Sequence, residues 1–163
     1  MHQIHYRPYA KSDEDAVIAH ILAIQQGEFA VPVTAEDQPD LRAVAEVYQS
    51  GTGGFWVAEM EGRIVGTIGL IGFGNGEGAL RKMFVAADVR GQGHGVAARL
   101  LDMLIDHART VGITGITLGT IERLHAARRF YAKNGFFDIA PVDLPDGFPR
   151  MPVDTHFYRL ELA

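Results

Sequence analysis

Residues 80–101 run Leu80-Arg81-Lys82-Met83-Phe84-Val85, then Ala86-Ala87-Asp88-Val89-Arg90-Gly91-Gln92-Gly93-His94-Gly95, then Val96-Ala97-Ala98-Arg99-Leu100-Leu101. A strand-like segment ends at Val85, and helical periodicity begins after Gly95. Val96, Leu100, Leu101, Leu104, Ala108 and Val111 share one face, with Arg99, Asp102, Asp106 and Arg109 on the other. Gly112 supplies the C-terminal stop. Between strand and helix lies a loop in which glycine alternates with polar residues. Glycine there lets the backbone approach a ligand and adopt positive φ. The unpaired N–H groups of the first helical turn, with the helix dipole, form an anion site that suits a diphosphate. Arg90 adds a positive charge at the start of the loop.

Upstream, Gln3 to Tyr9 reads as a first strand, and Ser12-Asp13-Glu14-Asp15 as a helix start before Ala16, Val17, Ile18, Ile21 and Leu22. Asp40 is expected to cap a second helix reaching Tyr48, terminated by Gly51, Gly53 and Gly54. Phe55 to Glu59 and Ile64 to Ile68 flank Glu61-Gly62, a hairpin turn. A Gly-rich turn over 72–78 leads into Ala79 to Val85. Short turns between these strands imply an antiparallel meander. Downstream, the spacing predicts a strand over Ile113 to Leu118, a helix over Glu122 to Lys133, a strand over Phe136 to Ile139, a Pro-rich loop and a last strand from Thr155 to Leu162. Helical crossovers there call for parallel pairing. The expected architecture is α/β: one mixed sheet of about seven strands, antiparallel in its first half and flanked by about four helices.

The 163 residues suit one domain over 1–163. No apolar run reaches the roughly 18 residues of a membrane span, so no membrane partner is expected. No secretory signal pattern opens the chain, which points to a cytoplasmic protein. With no cysteine, thiolate metal sites and a Cys nucleophile are excluded, and no metal is expected. A net charge of −5 disfavours nucleic acid. Yet residues 120–135 hold Arg123, Arg128, Arg129 and Lys133 against Glu122 alone, a local patch fitted to a small anionic ligand.

Two other phosphate-binding patterns fail. Gly93-His94-Gly95-Val96-Ala97-Ala98 has the letters of a dinucleotide fingerprint, but Ala86 to Gln92 separate it from the strand, and no acid follows at the required distance. No Gly-Lys-Ser/Thr follows for a P-loop.

Arg90-Gly91-Gln92-Gly93-His94-Gly95 instead resembles the R/Q-x-x-G-x-G/A signature of the GNAT superfamily of N-acetyltransferases. Leu80 to Val85 resembles that family's fourth strand, and Val96 to Leu101 its following helix. Ala127-Arg128-Arg129-Phe130-Tyr131-Ala132-Lys133-Asn134-Gly135-Phe136 resembles its A-x-x-x-Y-x-K-x-G-F segment. The resemblance implies a GNAT-like fold whose fourth and fifth strands splay around the pantetheine of acetyl-CoA. It implies acetyl transfer from that co-substrate to a primary amine of a small molecule or protein. Met83, Phe84 and Val85 would offer backbone to the pantetheine. Arg90, Gly91, Gln92, Gly93, His94 and Gly95, with Val96 and Ala97 at the helix start, would hold the diphosphate. An alternative is a catalytically degenerate acyl-CoA-binding regulatory module, suggested by Ala79, often acidic in relatives, and by Leu124, where many carry Asn.

The chemistry needs a base, because only about one alkylammonium in a few thousand is neutral at pH 7. It also needs an oxyanion donor, for which the family uses the N–H at Val85, and an acid for the leaving thiolate. Tyr131 matches the family's general acid. Glu122 is the candidate base, with Glu77, His125 and His156 as further options. Phe29, Tyr48, Phe55, Trp56 and His156 are candidates for the acceptor pocket. The final strand, rich in β-branched and aromatic residues, could pair across a homodimer.

Overall fold

The computed structural model describes residues 3–90, 95–122 and 124–162. Strand β1 (Ile4–Pro8) pairs antiparallel with β2 (Gly54–Met60), β2 with β3 (Arg63–Gly74), and β3 with β4 (Glu77–Val85). Glu61-Gly62 turns the first of the later hairpins with φ of 53° and 77°, and Asn75-Gly76 the second with 55° and 73°. Paired positive φ values match the right-handed twist of the strands they join. The second turn is therefore tighter than the Gly-rich run suggested, because Gly72, Gly74 and Gly78 belong to β3 and β4.

Helix α1 (Glu14–Leu22) continues as a π-helical segment over Ala23–Glu28. The helix expected from Asp40 is reduced to a 3-10 turn (Pro39–Arg42) and the single-turn α2 (Val44–Val47). Asp40 does not cap it: its carboxylate accepts a 2.5 Å bond from the Tyr48 hydroxyl and lies 3.6 Å from Lys82 Nζ. Then follow α3 (Val96–Thr110), β5 (Gly115–Thr120), α4 (His125–Lys133), β6 (Phe137–Ile139) and β7 (His156–Glu161).

The seven strands lie in the order β1-β2-β3-β4-β5-β7-β6. The α3 crossover gives the expected parallel pair, β4 with β5. The α4 crossover does not, since β7 inserts between β5 and β6 and runs antiparallel to each. Both edges of β7 are thus occupied, so the final strand is not free to pair across a dimer.

Strand β2 is buried on both faces. Trp56 and Ala58 pack with Leu100, Leu101 and Leu104 of α3. Phe55 and Val57 pack on the opposite side with Val17, Ile18 and Ile21 of α1. Among the described residues no helix is long and apolar enough to cross a membrane.

The sheet is opened at one place. β4 and β5 pair only over Glu77–Ala79 and Gly115–Thr117. Against β3, Phe84 pairs with Thr67 and Arg81 with Gly69, leaving Lys82 and Met83 opposite Ile68. Lys82 adopts φ 56°, and Thr67 Oγ1 donates to its carbonyl at 2.8 Å. Such a bulge bends its strand. Beyond Ala79, that edge of β4 has no strand partner.

Candidate active site

The gap holds a cavity of about 530 Å³, a usual size for a ligand site. Met83, Phe84 and Val85 form one wall, the start of α3 from Gly95 to Ala98 another, and α4 a third. Gly95 sits at φ 63°, its carbonyl accepts the Arg99 N–H at 2.9 Å, and among the described residues no side-chain hydrogen bond caps the helix. The first-turn N–H groups of a 15-residue helix therefore border the cavity.

Of the expected cofactor residues, Met83, Phe84, Val85, Arg90, Gly95, Val96 and Ala97 all line this cavity. Gly91, Gln92, Gly93 and His94 lie outside the described residues. The Arg90 side chain is a brace. Its Nε donates to the Val85 carbonyl at 2.8 Å, its guanidinium pairs with both oxygens of Glu28, and it stands 5.7 Å from the Phe29 ring centroid. Of the basic run, Lys133 lines the cavity, joined there by His125. Arg128 is turned to the Tyr158 hydroxyl (2.9 Å) and the Glu122 carbonyl (3.2 Å), Arg129 is exposed, and Arg123 lies outside the described residues.

A second cavity, about 460 Å³, shares Phe29, Met83, Phe84, Leu124, Ala127 and Tyr131 with the first. Tyr131 is 6% exposed, packed against Phe130, Phe136 and Tyr158. Burial pushes its hydroxyl pKa up, so it is protonated at neutral pH.

Gln25 and Gln38, in the wall of the second cavity, exchange amide bonds of 3.1 and 2.8 Å. Lys82 Nζ donates to Gln38 Oε1 at 2.7 Å and faces Asp40, which also accepts from Tyr48. Burial lowers the Lys82 pKa, Asp40 opposes that shift, and the charge of Arg81 adds to it. This linked set helps hold Lys82 in a left-handed conformation that side chains otherwise avoid.

On the opposite wall stands Asp154. A Cβ on Gly119 would fall 2.3 Å from Asp154 Oδ2, so only glycine lets the carboxylate lie against β5. Burial raises the Asp154 pKa, against the Met151 N–H bond (3.3 Å) and the charges of Arg81, Arg150 and Lys82.

Other expected site residues are not brought to either cavity. Glu122 is exposed and lines neither, although Ile121 and Leu124 on either side of it line the second cavity. Glu77 is the first residue of β4, and its carboxylate is held by Arg159. His156 lines neither cavity, with Nδ1 2.9 Å from Thr155 Oγ1. Tyr48, Phe55 and Trp56 are core, whereas Phe29 lines both cavities. Arg81, Lys82 and Asp154 escaped the sequence reading. The only local signals were a dibasic pair within a strand and a glycine at 119.

A parallel strand pair opened over two joined cavities, with a bare helix N-terminus at one of them, is the arrangement implied by the resemblance to N-acetyltransferases. The Acetyltransferase (GNAT) family matches residues 18–136, and the chain belongs to this family. A GNAT-family acetyltransferase from Staphylococcus aureus Mu50, known from a crystal structure, is 40% identical, with a TM-score of 0.94 over 99% of this chain and 100% of that one. Rat N-acetyltransferase family 8 member 2 is 31% identical over 104 residues, 61% of this chain and 45% of that protein. The chain spans about half the length of the curated relatives it matches. The fold is also that of the PaiA N-acetyltransferase from Thermoplasma acidophilum, solved with coenzyme A, at 14% identity, a TM-score of 0.70 and coverage of 98% and 99%.

Proposed function

We propose that the chain is one catalytic domain that moves an acetyl group from acetyl-CoA to a primary amine within a ternary complex. The observation that carries this reading is that the two cavities meet at Tyr131. One suits the cofactor and the other the acceptor. The fit to the cofactor rests on the uncapped start of α3 and the partnerless edge of β4. The coenzyme A complex of the Thermoplasma protein supports the same choice.

When bound, acetyl-CoA supplies the acetyl group as a thioester. The N–H groups of Val96 and Ala97, and the Lys133 ammonium, would hold its phosphates. Val85 would offer its N–H to the oxyanion. Asp154, rather than Glu122, takes the proton from the acceptor ammonium, and the raised pKa of its carboxyl strengthens it as a base. The amine nitrogen then bonds to the carbonyl carbon as the C–S bond breaks. Tyr131 gives its proton to the leaving thiolate, and the surplus proton on the new amide nitrogen returns to the Tyr131 phenolate. The test is release of free thiol from acetyl-CoA across a panel of amines. Transfer to at least one amine is expected. Tight acetyl-CoA binding with no transfer to any would favour a regulatory module instead.

A further inference from the structure

The second cavity contains a cation and an anion that do not meet. The Arg81 guanidinium makes one hydrogen bond among the described residues, from Nη2 to the Met151 sulfur at 3.1 Å. Among the described residues no carboxylate is within salt-bridge distance of it, whereas Arg90 and Arg159, also close to β4, each pair with a glutamate. Among the described residues Asp154 likewise has no cation at that distance, and its Oδ2 takes only the Met151 N–H. Met151 thus touches both groups, one through its sulfur and one through its backbone. Both line the same cavity, whose remaining walls include Val31, Val33, Phe148 and Pro152. Opposite charges left apart in a largely apolar recess attract a ligand that supplies a counter-charge to each. Lys82, adjacent to Arg81, is already met by Gln38 and Asp40, so Arg81 is the unpaired cation on that side among the described residues.

We propose that the acceptor is an α-amino acid, its carboxylate taken by Arg81 and its ammonium by Asp154. This rests on the acetyl-transfer reading above and names its substrate class. Guanidinium and carboxylate match in planar geometry, which makes Arg81 the selective element. The ammonium is thereby held at the residue that deprotonates it, and Met83, Phe84 and Tyr131 form the boundary with the cofactor cavity. The apolar walls suit an uncharged side chain.

The test compares kcat/KM for the twenty L-amino acids with kcat/KM for their carboxamides and decarboxylated amines, followed by release of CoA thiol. For the preferred side chain, the free acid is expected to exceed its amide by about a hundredfold, as when a desolvated donor loses its partner. In Arg81→Gln that ratio should collapse toward one. Thermal shift of the wild-type protein by the same acid, and not by its amide, provides a readout apart from turnover. Equal or better use of amides and simple amines by the wild type would overturn the inference and leave acetyl transfer standing. A preference for the acid that survives in Arg81→Gln would overturn the assignment to Arg81. Binding of acetyl-CoA with no transfer to any amine would overturn the reading on which both rest.

Discussion

Arg159 crosses β5 above Gly115 and grips both carboxylate oxygens of Glu77, at 2.7 and 3.0 Å. It joins β7 to β4 over the strand between them, and Thr117 Oγ1 accepts a further bond at 3.1 Å. The passage exists because residue 115 has no side chain: a Cβ there would lie 2.2 Å from Arg159 Nη2. Glu77 opposite Gly115 is also the first pair of the short β4–β5 ladder. The ion pair closes the sheet at the end where the strands touch, and the bulge at Lys82 opens it at the other.

Removing that closure should loosen the whole gap. Both side chains are mostly buried, at 16% and 17% exposure, so breaking the pair leaves a charge poorly solvated. Glu77→Ala is expected to lose about 2 kcal/mol of stability, less than a fully isolated buried charge would cost, because Glu161 still engages Arg159. Gly115→Ala should be at least as damaging. Urea midpoints measure the first effect, and titration with CoA should show weaker binding in both variants. Unchanged midpoints in Glu77→Ala would mean the pair contributes nothing.

Much of this frame was legible from local pattern. The apolar period of α3, the Glu61-Gly62 turn and the stop at Gly112 are short-range features, and each falls where the sequence places it. Long-range features were not. Nothing near His156 tells the chain to enter between β5 and β6, since that choice depends on which edge still needs a partner after α4 has packed. Asp40 reads as a cap because Asp favours caps, yet a buried lysine 42 residues later in the chain, at 82, competes for it. Asp154 lies in a Pro-rich loop whose path is set by contact with Gly119 rather than by its own sequence. The cavity proposed for the cofactor is walled mostly by residues 83–98 and 124–133, two local stretches whose patterns are visible in the sequence. The cavity proposed for the acceptor is assembled from four distant segments, and no local pattern announces it.

Tyr131→Phe separates catalysis from binding. The hydroxyl is protonated by virtue of its burial, and loss of a general acid costs on the order of a hundredfold in kcat. The ring stays in contact with Phe130, Phe136 and Tyr158, so CoA affinity should change little. Thiol-release kinetics and calorimetry check the two halves. An undiminished kcat would remove Tyr131 from the acid role.

Asp154→Asn should trade activity for stability. Burial raises the carboxyl pKa in the folded protein, so ionising it costs more there than in the unfolded chain. The favourable, protonated contribution is complete below the unfolded value of about 3.9 and is lost as pH rises through the folded one. Asparagine has no charge to bury and keeps an acceptor for the Met151 N–H. The variant should therefore unfold at a higher temperature than wild type at pH 7, with the difference shrinking toward pH 4, while acetyl transfer falls. A lower melting temperature at pH 7 would contradict the burial cost.

His20 gives β4 an acid-sensitive support next to the bulge at Lys82. From α1 its Nε2–H donates to the Phe84 carbonyl at 3.0 Å, just past the bulge. Burial lowers its pKa below the ordinary 6.5; the Phe84 bond opposes this, and Arg63 and Arg90 add to the lowering. The unfolded chain therefore takes up the proton first as pH falls. The stabilising contribution is whole above about pH 6.5 and diminishes below it until the folded value is passed. Denaturation midpoints of the wild type should drop between pH 7 and pH 5. His20→Gln retains a donor for the carbonyl but cannot titrate, so its midpoints should fall less steeply over that range. Parallel curves for the two proteins would show that His20 is not the titrating group.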